Sequence, residues 1–334
     1  MITSTFKESE MKAIVCEEFA PVEQLKYKDV PDPVVTKGHV VVDVKACGVN
    51  FPDGLLVQGL YQSKPPFPFI PGNEVAGVIS EIGEGVPYLK VGMRVIAMVM
   101  LGGYAEKVLC PVSHIMPIPD EIPDAEAAAL VTAHATAHHA LKQRAQIKPG
   151  ETLLVTGAAG GTGLAAVQIG KEMGATVIAV CSTQEKLDMA KANGADILIN
   201  YTETDLKTAI KAVTDGKGVD VVYECVGGDT FHACSRGMAW NGRLLVVGFA
   251  GGTIPEFPVN LALVKGYSVV GVFWGSFTQH QPRDFADNMK ELLLWYVQGK
   301  VKVVVDEVVP LENAKDALNK VMNRAVKGKM TLRP

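Results

Sequence analysis

Hydrophobic positions fall into two textures along this chain. From residue 11 to about 125 they come in short runs rich in valine and isoleucine, separated by Gly/Pro turns: 40-VVVDVKACGV-49, 75-VAGVISEIG-83 and 94-RVIAMVM-100. Helical spacing is scarce there, so the stretch predicts a β-rich unit. Prolines 65, 66, 68 and 71 crowd one segment, which predicts a loop. From about 150 onward strand-like runs alternate with helical stretches. The pattern predicts strands at 152–156, 176–180, 196–200, 219–224, 243–248 and 267–273, with helices over 162–174, 184–194, 203–215 and 229–240. These strands are near-continuous in Val, Ile and Leu, as in a parallel sheet buried on both faces under helices. The tail, 282–334, predicts a helix at 285–299, a strand and a last helix near 312–324, and is expected to rejoin the first unit.

Composition narrows the possible classes. The length of 334 residues suits two domains. Hydrophobic residues at 48% and a net charge of −4 exclude a disordered chain, and the mild acidity weighs against nucleic acid as a partner, because phosphate binding needs a cationic footprint. No apolar run is long enough to span a bilayer, so no membrane partner is expected. The opening MITSTFKESE has neither the apolar core of a signal peptide nor the arginines of a transit peptide; it reads as a short frayed tail, and a cytoplasmic location is expected. Cys16, Cys47, Cys110, Cys181, Cys225 and Cys234 form no C-x-x-C pair, as expected of reduced thiols, and their scatter excludes a closed four-cysteine zinc lobe. His134 and His138 stand at i, i+4 on a predicted helix. The acid of an H-E-x-x-H motif is missing, since Ala135 follows His134, so packed histidines are the simpler reading and no metal is expected.

The most informative stretch is 153-LLVTGAAGGTGLAAVQIGKEMGATVIAV-180. An apolar strand runs into Gly157, Gly160, Gly161 and Gly163 and then directly into a helix. Glycines there let the backbone turn sharply and approach a pyrophosphate, at which the helix points free N–H groups and its positive end. Strand, turn, helix and second strand together fit a βαβ unit that binds a dinucleotide. An NAD site usually carries an acid at the end of the second strand to hold the ribose hydroxyls. Here 177-VIAVCSTQEK-186 places Cys181 in that slot, followed by Ser182 and Thr183. No carboxylate there repels a 2′-phosphate, and Lys186 can reach one, which favours NADPH; Lys186 also reads as a solvated helix lysine.

With these residues in view the chain resembles the zinc-independent quinone oxidoreductases of the medium-chain dehydrogenase/reductase superfamily, the zeta-crystallin type. The resemblance covers about residue 11 to 334. It rests on 48-GVNFPD-53, 71-PGNEVAGVISEIG-83, 128-AALVTAHATAHHAL-141, 156-TGAAGGTGLAAVQI-169, 199-INYTE-203, 246-VVGFAGG-252, 273-FWGSF-277 and 324-RAVKGKM-330. Zinc-using relatives in the superfamily have a cysteine where this chain has Asn50 and a histidine where it has Asn73; both ligands are lost together. The resemblance implies an α/β fold: a Rossmann doubly wound parallel sheet over 131–274, plus a GroES-like β-rich catalytic domain formed by 1–130 and 275–334, with the cofactor in the cleft. It places the pyrophosphate at Gly160, Gly161, Thr162 and Gly163, and the 2′-phosphate near Ser182, Lys186, Tyr201 and Arg324. Adenosine ribose falls near Cys225 and Val226, and the nicotinamide near Asn50, Thr136, Phe249 and Phe273. A tyrosine that the family carries shortly after its N-F-x-D motif is replaced by Leu55, while Tyr61 matches a second one.

The expected chemistry is hydride transfer from NADPH to a quinone or α,β-unsaturated carbonyl. Without a Lewis acid, the developing oxyanion must be met by hydrogen-bond donors, for which Asn50 and Tyr61 are candidates, with water as the proton source. Asp53 is read as orienting loops, and Asn50 and Asp53 are also ordinary turn formers. Two alternatives stay open: an enoyl-thioester (enoyl-CoA-type) reductase, and a non-catalytic NADPH-binding regulatory or structural protein. The run 267-YSVVGVF-273, apolar at a sheet edge, invites pairing with a second copy, so a homodimer is expected.

Overall fold

The computed structural model describes residues 10–334; the expected frayed tail lies outside the described residues, apart from Glu10. The chain divides into two compact units. One comprises the residues up to Val131 together with Val305–Pro334, and the other is Thr132–Val304.

In chain order the first unit carries β1 (Glu10–Val15), β2 (Lys26–Pro31), β3 (His39–Val49), β4 (Glu74–Ile82), β5 (Arg94–Met98), β6 (Lys107–Pro111) and β7 (Ile115–Pro117). The middle unit carries β8 (Thr152–Thr156), β9 (Thr176–Cys181), β10 (Ile197–Asn200), β11 (Val219–Glu224), β12 (Met238–Val246) and β13 (Ser268–Gly271). β14 (Val305–Pro310) and β15 (Lys329–Arg333) then complete the first unit.

The first unit's large sheet runs β14-β15-β3-β4-β5-β7, with β6 also paired to β3, and β1 and β2 form a separate antiparallel pair. Alternation sets its inner face: Val40, Val42 and Val44 of β3 meet Val75 and Ile79 of β4 and Val95 of β5 in one buried cluster. β15 was not foreseen. It lies between β14 and β3, with Met330 opposite Val49 and Leu332 opposite Cys47.

The middle unit is a six-stranded parallel sheet in the order β10-β9-β8-β11-β12-β13. Relabelled within the unit this is 3-2-1-4-5-6, the doubly wound Rossmann order. Leu153, Leu154, Val155, Val177, Ile178, Val221 and Val222 are fully buried, which explains the continuous apolar runs read from the sequence. The helix expected over 229–240 is shorter, Gly228–Arg236. Gly237 closes it by returning its N–H to the Ala233 and Cys234 carbonyls, and the backbone passes at once into β12. Residues 275–304 group with the middle unit, whereas the expected boundary put them with the first. Helix Pro282–Val297 is held there by Gln143 to Asn288 (2.9 Å) and by His138 and Lys142 to Glu291 (2.8 and 2.6 Å).

The parallel register brings the carboxyl ends of β8, β9 and β11 to one edge: Thr156 pairs with Val180, and Val155 with Tyr223. The chain order reverses between β8 and β11, so a crevice for a ligand is expected at this edge.

Candidate active site

The middle unit presents its glycine turn at that edge. Gly157 takes a left-handed φ of 60°, and Gly160 caps helix Gly161–Glu172 with no side-chain hydrogen bond. A Cβ on Gly163 would sit 2.2 Å from the Gly157 carbonyl oxygen, so only glycine allows the helix to begin this close to the strand end. The result is a backbone cradle with uncapped helical N–H groups, which suits an anion. The Thr162 hydroxyl is engaged elsewhere, with the Tyr223 hydroxyl at 2.5 Å and the Ala133 carbonyl at 3.3 Å. Thr162 can therefore meet a phosphate through its backbone.

Ser182, Lys186 and Tyr201 gather at the ends of β9 and β10. Thr183 caps helix Gln184–Ala192 by accepting from the Lys186 N–H, the Tyr201 N–H donates to the Cys181 carbonyl, and the Thr202 hydroxyl donates to the Ser182 carbonyl. Cys181 is buried and its thiol is pushed up to about 11 by burial, so the slot of the missing acid is neutral. After β11, Cys225 and Val226 accept backbone N–H bonds from Ala250 and Gly251, which ties them to the loop carrying Phe249. Thr136 is half-buried on helix Asp124–His139, and Phe273 is exposed just beyond β13. Arg324 belongs to the first unit, where it is exposed on the turn after helix Ala314–Met322, with φ 56°.

The first unit gathers a second set of polar groups, all buried: Asn50, Asp53, Glu74, Tyr104 and Lys329. Asn50 precedes helix Phe51–Val57, and its N–H donates to Asp53 Oδ2 at 2.9 Å. The Asn50 amide donates to Asn73 Oδ1 (3.2 Å) and Glu74 Oε1 (2.7 Å), and its oxygen accepts from Lys329 Nζ at 2.5 Å. Lys329 also reaches Glu74 Oε1 (2.9 Å) and the Val49 carbonyl (3.2 Å). Gly48 makes room for the carboxylate, since a Cβ there would lie 2.0 Å from Glu74 Oε1. The Tyr104 hydroxyl donates to Asp53 Oδ2 at 2.9 Å. Burial pushes the Asp53 carboxyl up to about 7, against the pull of the Asn50 N–H, Tyr104 and Lys329. Half-buried Tyr61 is pushed up as well, by burial first and then by the Asp53 charge, so its phenol keeps its proton.

The whole chain now has a basis for comparison. The profile of the alcohol dehydrogenase GroES-like domain matches residues 36–120, and that of the zinc-binding dehydrogenases matches 161–294. Quinone oxidoreductase-like protein 2 of Rattus norvegicus is 38% identical over 322 residues, 96% of this chain and 91% of its own. This chain belongs to the medium-chain dehydrogenase/reductase superfamily. Within that oxidoreductase superfamily it is similar to quinone oxidoreductases. The Escherichia coli quinone oxidoreductase complexed with NADPH superposes with a TM-score of 0.90 at 29% identity, covering 97% of this chain and 99% of that one. A mycobacterial protein complexed with NADPH gives 0.92 at 31%, covering 97% and 100%.

The superfamily's zinc can be tested against the groups present. Asn50 and Asn73 offer amides where thiolate and imidazole ligands are needed, and the Lys329 ammonium already occupies the Asn50 oxygen. Among the described residues no three His, Cys, Asp or Glu side chains converge as a metal-binding group. This donor set does not fit zinc.

Sequence reasoning singled out Asn50, Asp53 and Tyr61 but missed Glu74, Lys329 and Tyr104. A faint signal existed for Lys329: a lysine one residue before the apolar MTL run, in the segment that becomes β15. Nothing in the spacing links it to Asn50, 279 positions earlier.

Two outcomes follow from this cluster. Lys329→Met strands the buried Glu74 carboxylate and is expected to cost about 3–5 kcal/mol in urea unfolding, most of it recovered in the Lys329→Met/Glu74→Gln double variant; a single variant as stable as wild type contradicts the pairing. Asp53 holds its proton in the folded chain up to about 7, well above the ordinary 3.8 of the free side chain. Its stabilising contribution is therefore complete below the unfolded value and is lost as pH rises through about 7. The urea midpoint of wild type relative to Asp53→Asn should fall between about pH 4 and about pH 7 and then level off; a constant difference rules this linkage out.

Proposed function

We propose that this chain is a zinc-independent, NADPH-dependent oxidoreductase that reduces a quinone or an α,β-unsaturated carbonyl. One combination carries the reading: an uncapped glycine cradle for a dinucleotide, in a chain whose metal position holds Asn50, Asn73 and the Lys329–Glu74 ion pair. When bound, NADPH supplies the hydride. The backbone at Gly160, Gly161, Thr162 and Gly163 holds its pyrophosphate. Ser182, Lys186 and Tyr201 receive the 2′-phosphate beside the neutral Cys181, which favours NADPH over NADH. Cys225 and Val226 line the adenosine ribose, and Thr136, Phe249 and Phe273 line the nicotinamide. The resemblance adds Asn50 and Arg324 to these contacts.

Charge reaching the substrate oxygen needs a donor. Both amide protons of Asn50 are held inside the first unit, so its role here is to orient the strand–helix junction, and the donor role passes to Tyr61. Asp53 orients the same junction through the Asn50 N–H, and water supplies the proton. An oxygen conjugated to the hydride acceptor makes quinones and enones suitable acceptors for a site without a metal.

The partner of the protein surface is proposed to be a second copy. β13 ends the middle sheet with an unpaired edge; Val269 on it, Trp240 on the adjacent β12 and Leu263 six residues before Val269 are exposed at 39%, 72% and 82%. No helix among the described residues is long and apolar enough to cross a membrane. The six cysteines are free, which supports a reducing compartment such as the cytoplasm.

NADPH is expected to raise the melting temperature and to be consumed with quinones or enones. Lys186→Glu should raise the KM for NADPH roughly tenfold or more while leaving NADH little changed. Turnover restricted to crotonyl-CoA-type thioesters would transfer the reading to an enoyl-thioester reductase. NADPH binding without turnover of any acceptor would make the protein a non-catalytic binder, and absence of NADPH binding ends the proposal. Light scattering at micromolar concentration should give twice the chain mass, 2 × 35.6 kDa; the single-chain mass refutes the dimer.

A further inference from the structure

Glu224 ends β11 with no exposed surface, and a carboxylate can only accept hydrogen bonds. Five are made to it. Oε1 accepts from the Thr156 hydroxyl (3.1 Å), the Val226 N–H (3.1 Å), the Gly227 N–H (3.0 Å) and the Thr230 hydroxyl (3.2 Å), and Oε2 accepts from the Gly227 N–H (2.9 Å). The donors come from two strand ends and the helix that follows. Thr156 ends β8 and immediately precedes the Gly157 turn, Val226 and Gly227 open the segment after β11, and Thr230 lies in the first turn of helix Gly228–Arg236, its hydroxyl shared with the Gly227 carbonyl at 2.7 Å. Gly227 and Gly228 have φ of 81° and 57°, conformations that favour glycine, and the consecutive N–H groups of Val226 and Gly227 converge on one anion. Here the anion is the protein's own. Thr156 closes the circuit by accepting the Cys225 N–H at 3.1 Å. The two loops then touch: a Cβ on Gly157 would lie 3.2 Å from Cys225 Sγ and 3.4 Å from Val226. The preceding residue, Tyr223, holds Thr162 at the start of the nucleotide helix, so neighbouring side chains of one strand brace both sides of the turn.

We propose that Glu224 is the positioning residue of the nucleotide site, an internal carboxylate that fixes the loops at 156–163 and 225–228 in the shape that receives the 2′-phosphoadenosine half of the cofactor. The proposal rests on the NADPH reading above. It assigns Glu224 no contact with the reacting atoms. Disturbing it therefore weakens binding of the adenosine half and leaves the hydride step intact once the site is filled. The second oxygen matters as well, since the amide of glutamine, keeping its oxygen at the Oε1 position, would aim a donor at the Gly227 N–H that Oε2 accepts.

The test uses the full chain and the variants Glu224→Gln, Glu224→Asp and Thr230→Val, with NADPH and 2′,5′-ADP as probes. Glu224→Gln is expected to raise the dissociation constants of both about tenfold, with kcat at saturating NADPH kept within about twofold of wild type. Amide exchange at Val226 and Gly227 should quicken in the cofactor-free protein. Glu224→Asp should restore part of the affinity. If Glu224→Gln does not fold, Thr230→Val, which removes one donor, is expected to shift both constants in the same direction by a smaller factor. Unchanged affinities in a folded variant overturn the proposal, as does a fall in saturated kcat as large as the loss of affinity. Wild type that binds no NADPH sinks the NADPH reading and this inference with it; wild type that binds alongside indifferent variants sinks this inference alone.

Discussion

At the end of β8 the carbonyl oxygen of Gly157 and the Cα of Gly163 come so close that a single methyl group has no place between them. This contact lets helix Gly161–Glu172 start directly above the strand it follows. It directs the helix's uncapped N–H groups at the sheet edge where β8, β9 and β11 end together. Glycine is required there because of proximity, while at Gly157 it is required by a left-handed backbone. The neighbouring features follow from that placement. Thr156 is fixed within reach of Glu224, Thr162 within reach of Tyr223, and the neutral Cys181–Ser182 segment stands beside the turn.

Both units also bury carboxylates, and Glu74 and Glu224 are satisfied differently. Glu74 is matched by the Lys329 ammonium and the Asn50 amide, a charge-for-charge pairing. Glu224 is matched by backbone N–H groups and hydroxyls. A buried ion pair is demanding, because removing one member leaves the other charge stranded. Its presence where relatives use a metal means that the first unit's polar core is self-neutralising: the protein supplies its own cation, on a side chain, bonded to the very amide that stands at the ligand position.

The middle unit was largely legible from sequence because its signals are local. Fully buried parallel strands leave continuous apolar runs, and the strand–glycine–helix order marks the nucleotide turn within one βαβ unit. Boundaries suffered where a glycine stopped an element early, as Gly237 does. The first unit was legible as β-rich, yet its polar cluster was not, because that cluster is assembled by strand pairing over long sequence separation. Asn50 and Asp53 were found through a short motif. Lys329, Glu74 and Tyr104 carry no local pattern that announces burial, and the amide protons of Asn50 could be seen to be engaged only once its partners were placed.

β15 adds a temporal consequence. Lys329 bonds Asn50 and Glu74 across 279 and 255 positions. While the polypeptide is being made, the middle unit is contiguous and its βαβ segments can close as they emerge, whereas the first unit's sheet lacks an inner strand and its Glu74 carboxylate lacks a counter-charge until β15 has followed the whole middle unit. The two parts of the first unit are thus separated in time by the making of the other, and its polar core closes only after the middle unit has been made.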